Sequence, residues 1–106
     1  PGMKLSMESL QNHAAKLPPV EIVKPVEVVG RSTIESIQSG LYLSTLGACK
    51  ELIARVKNEV FQSQKSIVIA TGGFASLFEG EGIFDVNLPD LVLDGLRISL
   101  EQNIFD

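Results

Sequence analysis

Cysteine and histidine are nearly missing from this sequence: of 106 residues, Cys49 is the one cysteine and His13 the one histidine. One thiol cannot close an internal disulfide, and one Cys with one His cannot supply the ligand set of a zinc site. Cys49 falls inside a predicted helix and reads as a small structural hydrophobe. His13 falls on a polar helix face and reads as a surface residue. No run reaches the ~18 uninterrupted apolar residues that bilayer thickness demands, so a membrane span is not expected. A basic stretch leading into an apolar one is also missing at the start, so a signal peptide is not expected. Basic residues are the minority charge, nine Lys and Arg against thirteen Asp and Glu for a net −4, and a nucleic-acid surface is therefore not expected. A reducing, cytoplasmic setting fits the thiol count. The chain opens on Pro1-Gly2 rather than methionine, as expected of a piece of a longer protein.

What is present is enough apolar content, 44%, to build a packed core, and a length that suggests one domain or part of one. Met7, Leu10, Ala14 and Leu17 recur at spacings of three and four and predict a helix over 4–16, stopped by Pro18-Pro19. Val20 to Lys24 is β-branched, and Pro25 confines it to a sheet edge or a loop. Ser32-Thr33-Ile34-Glu35 has the pattern of a capping box, in which the serine oxygen accepts the glutamate amide and the glutamate reaches back. A long helix over 33–62 should follow, with an apolar stripe of Ile34, Ile37, Leu41, Ala48, Leu52, Val56 and Val60. Ser36, Gly40, Ser44 and Ala48 form a second stripe of small residues. Gly40 and Gly47 suggest either close approach of another backbone or a break near residue 44, since glycine costs ~1 kcal/mol in a helix.

Ser66 to Ala70 is a continuous apolar run, expected as a strand buried on both faces. Phe74 to Phe78 reads as a short helix, Glu79 to Gly82 as a loop, and Pro89 as the first turn of a last helix that buries Leu93, Leu96, Leu100 and Ile104. One firm strand cannot make an α/β core, so the rest of the sheet is expected outside these residues.

Two turns offer chemistry. Thr71-Gly72-Gly73 follows a strand and precedes a helix, where glycines allow a ligand close to the backbone and helix amides favour an anion. The spacing matches neither common nucleotide fingerprint, and a plain connector explains it as well. Val29-Gly30-Arg31-Ser32-Thr33 offers a guanidinium, two hydroxyls and free amides that could hold a carboxylate or hydroxylated substrate; simple helix capping also suffices. The acidic set Glu79, Glu81, Asp85, Asp90 and Asp94 allows acid–base work, against a solvated loop and helix start.

Several pieces occur together and in order. Pro1-Gly2, Ala15-Lys16-Leu17-Pro18, Val20-Glu21, Gly30-Arg31-Ser32-Thr33 with Ile37-Gln38-Ser39-Gly40, Ala70-Thr71-Gly72-Gly73-Phe74-Ala75 and Pro89 to Leu96 resemble the C-terminal part of type III pantothenate kinases. The resemblance implies an α/β fold of two ribonuclease-H-like domains, as in actin-like ATPases and sugar kinases, with residues 1–106 as the C-terminal portion of the second domain and an incomplete sheet. It implies ATP-dependent phosphorylation of pantothenate to 4′-phosphopantothenate, the first step of coenzyme A synthesis, with Mg2+ and a monovalent cation (K+ or NH4+), in a cytoplasmic homodimer. Thr33, with Gly30 and Arg31, would meet pantothenate; Thr71, Gly72 and Gly73 would meet ATP. The catalytic aspartate, first phosphate loop and cation-binding aspartate belong to earlier segments of the family, so no catalytic or metal residue is expected here, and this stretch alone should be inactive without the remainder of the kinase chain. The family often has an aromatic residue and glycine where Leu43-Ser44-Thr45 stands. Two other readings are a non-catalytic accessory or regulatory member of the family and a different sugar-kinase-like ATPase.

Overall fold

A computed structural model describes residues 2–13, 20–62 and 64–105. Readings placed on residues 1 and 14–19, and on the side chains of His13 and Ile104, lie outside the described residues. The chain divides into two compact units, Pro1–Val60 and Phe61–Asp106. The elements are α and β together, which bears out the α/β class in its coarse form.

The first unit holds helix α1 (Met3–His13) packed on helix α2 (Thr33–Val56), and residues 20–32 before α2 form no helix or strand. α2 begins where the capping pattern put it. Ser32 has an extended backbone, and its hydroxyl accepts the Glu35 amide at 3.1 Å. The helix runs unbroken through residue 44, against the alternative of a break there. It gives way to a wider π-helical turn at Lys57–Phe61 and ends at Gln62, whose φ is 47°. The buried set is Met3, Val20, Leu41, Tyr42 and Leu46 with Ser39. This corrects the predicted stripe: only Leu41 of its members is buried, while Leu52, Val56 and Val60 are exposed. The reason is that a helical period fixes which residues share a face, but the packing partner α1 selects the face, and here it selects one rotated toward Tyr42 and Leu46. Tyr42, at 1% exposure, is the most enclosed of the unit's described residues, and full burial of a large apolar side chain contributes about 1.5–3 kcal/mol. An added Cβ at Gly40 or Gly47 would meet nothing, so among the described residues no backbone closes on either glycine. Residues 20–24 form no strand, which leaves the loop reading of that segment.

In the second unit, strand β1 (Ile69–Ala70) pairs in parallel with strand β2 (Val86–Asn87), in the register Ile69 to Val86 and Ala70 to Asn87. A 3-10 helix (Ala75–Glu81) lies on the connection, replacing the predicted helix at 74–78 and loop at 79–82. Its end is Gly82, at φ 68°, a left-handed position that suits glycine. Phe78 is the buried anchor of this connection. The predicted strand at 66–70 is shorter than expected and is not buried on both faces: Ile67 is 75% and Ile69 49% exposed. Two strands of two residues cannot cover it, which is the physical reason for the miss. Helix α3 (Leu91–Phe105) starts two residues beyond Pro89, not on it, and Leu93, Leu96 and Leu100 are exposed rather than buried.

Candidate functional site

The Gly30–Thr33 turn sits where a loop meets the first turn of α2, and the fit is tight. A Cβ on Gly30 would lie 2.4 Å from the Ser36 amide nitrogen and 2.7 Å from the Glu35 carbonyl carbon, both backbone atoms. Only glycine lets the two backbones approach this closely. On either side of Gly30 the loop is tied to the helix. The Arg31 amide donates to Glu35 Oε2 at 2.7 Å, and the buried Ser39 hydroxyl donates to the Val28 carbonyl. Further back, Gln38 Nε2 donates to the Glu21 carbonyl at 3.2 Å. Glu35 thus performs the return half of the capping box one residue early, on Arg31 instead of Ser32.

These ties enclose a cleft of about 370 Å³, bounded by the 23–27 segment on one side and by Val29, Gly30, Arg31, Glu35 and Gln38 on the other. Gly30 and Arg31 therefore come together around one cavity, while Thr33 stands beside it at the first helical position without lining it. Thr33 is exposed, and the cap does not use its hydroxyl. The Arg31 guanidinium lies 3.5 Å from Glu27 Oε2, with the two side chains 82% and 58% exposed. An ion pair that open is worth little and leaves the guanidinium able to exchange partners. The arrangement offers a planar cation, backbone amides and a hydroxyl at a helix start, a set suited to an anionic, hydroxyl-bearing small molecule.

Thr71, Gly72 and Gly73 belong to the second unit, directly after the carboxyl end of β1 and exposed. Gly72 has φ 100°, which disfavours any side chain, whereas a Cβ on Gly73 would enter open space. Position at the carboxyl end of a parallel strand is where ligands meet open α/β sheets. The expected helix start is instead a 3-10 turn, whose Ala75 amide already donates to the Gly72 carbonyl at 3.3 Å. Two members of the acidic set tie local backbone and side chains together. Asp85 Oδ2 accepts the Val68 amide at 2.7 Å and Glu79 Oε1 accepts Asn87 Nδ2 at 3.1 Å. Sequence reasoning missed the loop ties from Gln38 and Ser39, the Asp85 tie to Val68 and the Asn87 ties to Ser76 and Glu79, none of which had a local signal; the Glu35 contact had one, in the S-x-x-E spacing.

The fold and its two glycine-bearing turns define an α/β chain with ligand-accessible backbone at a helix start and at a strand end. The family model described as type III pantothenate kinase matches residues 1–55. A type III pantothenate kinase of Legionella pneumophila (strain Corby) is 56% identical over 103 residues, 97% of this chain and 40% of that protein. A type III pantothenate kinase 1 of Francisella tularensis subsp. holarctica (strain OSU18) is 50% identical over the same shares. One from Elusimicrobium minutum (strain Pei191) is 49% identical over 102 residues, 96% of this chain and 40% of that protein. The chain belongs to the type III pantothenate kinase family. It spans about 40% of the length of these relatives and matches their C-terminal part.

Proposed function

We propose that the protein carrying this chain phosphorylates pantothenate at the expense of ATP, giving 4′-phosphopantothenate at the start of coenzyme A synthesis. The observation that carries this reading is identity of 56% across 97% of the chain to a type III pantothenate kinase. In the reaction the primary hydroxyl of pantothenate attacks the γ-phosphorus, the bond to the β-phosphate oxygen breaks, and ADP leaves; catalysis is chiefly positioning and charge stabilisation. Arg31 takes the pantothenate carboxylate, Thr33 a polar group of the same molecule, and Gly30 gives the turn its close seat on α2. Thr71, Gly72 and Gly73 meet the nucleotide, with Gly73 giving the space.

Among the described residues no group of three or more His, Cys, Asp and Glu stands together. The catalytic base, the phosphate loop, Mg2+ and the monovalent cation (K+ or NH4+) belong in this reading to the rest of the kinase chain. Residues 1–106 then form the C-terminal portion of the second of two ribonuclease-H-like domains, in a cytoplasmic homodimer. No helix among the described residues is long and apolar enough to cross a membrane.

The test is pantothenate-dependent ADP release by the complete protein, with the product identified by mass. Phosphopantothenate formation is the expected result. Binding of both substrates without turnover would favour an accessory member of the family, and turnover of a different alcohol would overturn the reading.

A further inference from the structure

The loop that carries Gly30 and Arg31 is held by two side chains of α2 that face it from successive turns. Serine inside a helix usually returns its hydroxyl to a carbonyl three or four residues back on the same helix. Ser39 does not: at 5% exposure it donates instead to the carbonyl of Val28, eleven residues earlier. Four residues before it, on the same helix face, Glu35 takes the Arg31 amide at 2.7 Å. Between the two tied positions lies Gly30, pressed against the backbone of Glu35 and Ser36. The turn from Val28 to Arg31 is thus fixed at both ends and seated in the middle. The Glu35 amide is separately capped by Ser32, so Glu35 makes two distinct bonds at the helix start, one of them to the turn.

We infer that Ser39 and Glu35 are positioning residues that hold the Val28–Arg31 turn in place and thereby set the affinity for the carboxylate-bearing substrate at Arg31. The inference rests on the pantothenate reading above and deepens it. Both residues act through the turn, by removing the freedom it would otherwise lose on binding; ordering a loop beforehand is a recognised source of affinity.

The experiment compares Glu35→Ala, Glu35→Gln and Ser39→Ala in the complete kinase, by steady-state kinetics for pantothenate and for ATP alongside thermal melts. Glu35→Ala and Ser39→Ala should each raise the pantothenate KM by about three- to tenfold, the effect of losing one hydrogen bond that orders the site. The ATP KM should stay put and kcat should move by less than about twofold, the pattern of lost binding without lost chemistry. Glu35→Gln, whose amide oxygen accepts the same N–H, should restore the parental KM. A lowered melting temperature with unchanged pantothenate KM in Glu35→Ala would make the tie merely structural and overturn the inference, as would failure of Glu35→Gln to rescue. Should Ser39→Ala not fold, the Glu35 pair decides alone. A parent protein with no pantothenate turnover would sink the functional reading itself, whereas normal parental turnover with unmoved variants sinks the positioning role only.

Discussion

At the scale of single residues, the cap of α2 belongs to Ser32 and not to Thr33, in keeping with the S-x-x-E spacing. Ser32 caps α2, accepting the Glu35 amide, and Thr33 follows as an exposed residue that the cap leaves free. Ser32→Ala should lower the stability of the complete protein by about 1 kcal/mol with little change in pantothenate affinity, measured by denaturant unfolding and by binding. Thr33→Val should do the reverse. Loss of one hydrogen bond to substrate, about 0.5–1.5 kcal/mol, lowers pantothenate kcat/KM up to an order of magnitude. If Thr33→Val instead destabilises the fold with normal kinetics, Thr33 has no role at the substrate. Gly30 carries a different kind of constraint. A methyl group there would have to displace helix backbone, with Ser36 N at 2.4 Å, so Gly30→Ala should cost about 1–3 kcal/mol in an unfolding measurement. The capping signal was legible in four consecutive letters because a cap is local chemistry. The tie from Ser39 to Val28 was not, because nothing in the sequence tells which loop carbonyl will come to lie over a helix serine.

At the scale of elements, the two turns differ in what they tolerate, and the difference is testable. Gly72 sits at φ 100° and Gly73 in open space with an ordinary backbone. Gly72→Ala should therefore cost about 1–2 kcal/mol of stability from the backbone alone. Gly73→Val should leave the melting temperature nearly unchanged while weakening ATP binding, because the new side chain fills space proposed for the nucleotide. Unaltered nucleotide affinity in folded Gly73→Val would remove this turn from the site. Element positions were read well where they depend on local signals, as for α2 and α3, and poorly where they depend on pairing. β2 is two residues long, Val86-Asn87, and its flanks tie to β1 and the residue before it: the Leu88 amide donates to Ala70 at 2.9 Å and the Asp85 amide to Val68 at 2.8 Å. No periodicity of two residues can announce such a strand. The buried face of α2 was misjudged for a related reason: several apolar positions were available around the helix, and α1 chose among them.

At the scale of the whole molecule, the apolar surface and the alignment agree. α3 leaves Leu93 at 66%, Leu96 at 63% and Leu100 at 62% exposure, three leucines spaced for one helix face. Leu52, Val56 and Val60 on the first unit are likewise open. Contiguous apolar faces of this kind mark surfaces meant to be covered, and the relatives carry about 60% of their length outside the aligned region, since the chain accounts for 40% of each. In the complete protein α3 should therefore be a packed element. Leu96→Glu there should destabilise by about 2–5 kcal/mol, the range for loss of a buried leucine and burial of a charge. In the 106-residue chain by itself the same substitution should be neutral for folding and should lower self-association, measured by sedimentation. The isolated chain should also show no pantothenate phosphorylation, because in the proposed reading the catalytic base and the phosphate loop that position nucleophile and phosphates lie in the rest of the protein. The two results test different things. Turnover by the isolated chain would overturn the proposed division of the catalytic machinery, whereas an unchanged melting temperature for Leu96→Glu in the complete protein would mean that α3 stays exposed there and that its leucine face serves something other than the protein's core.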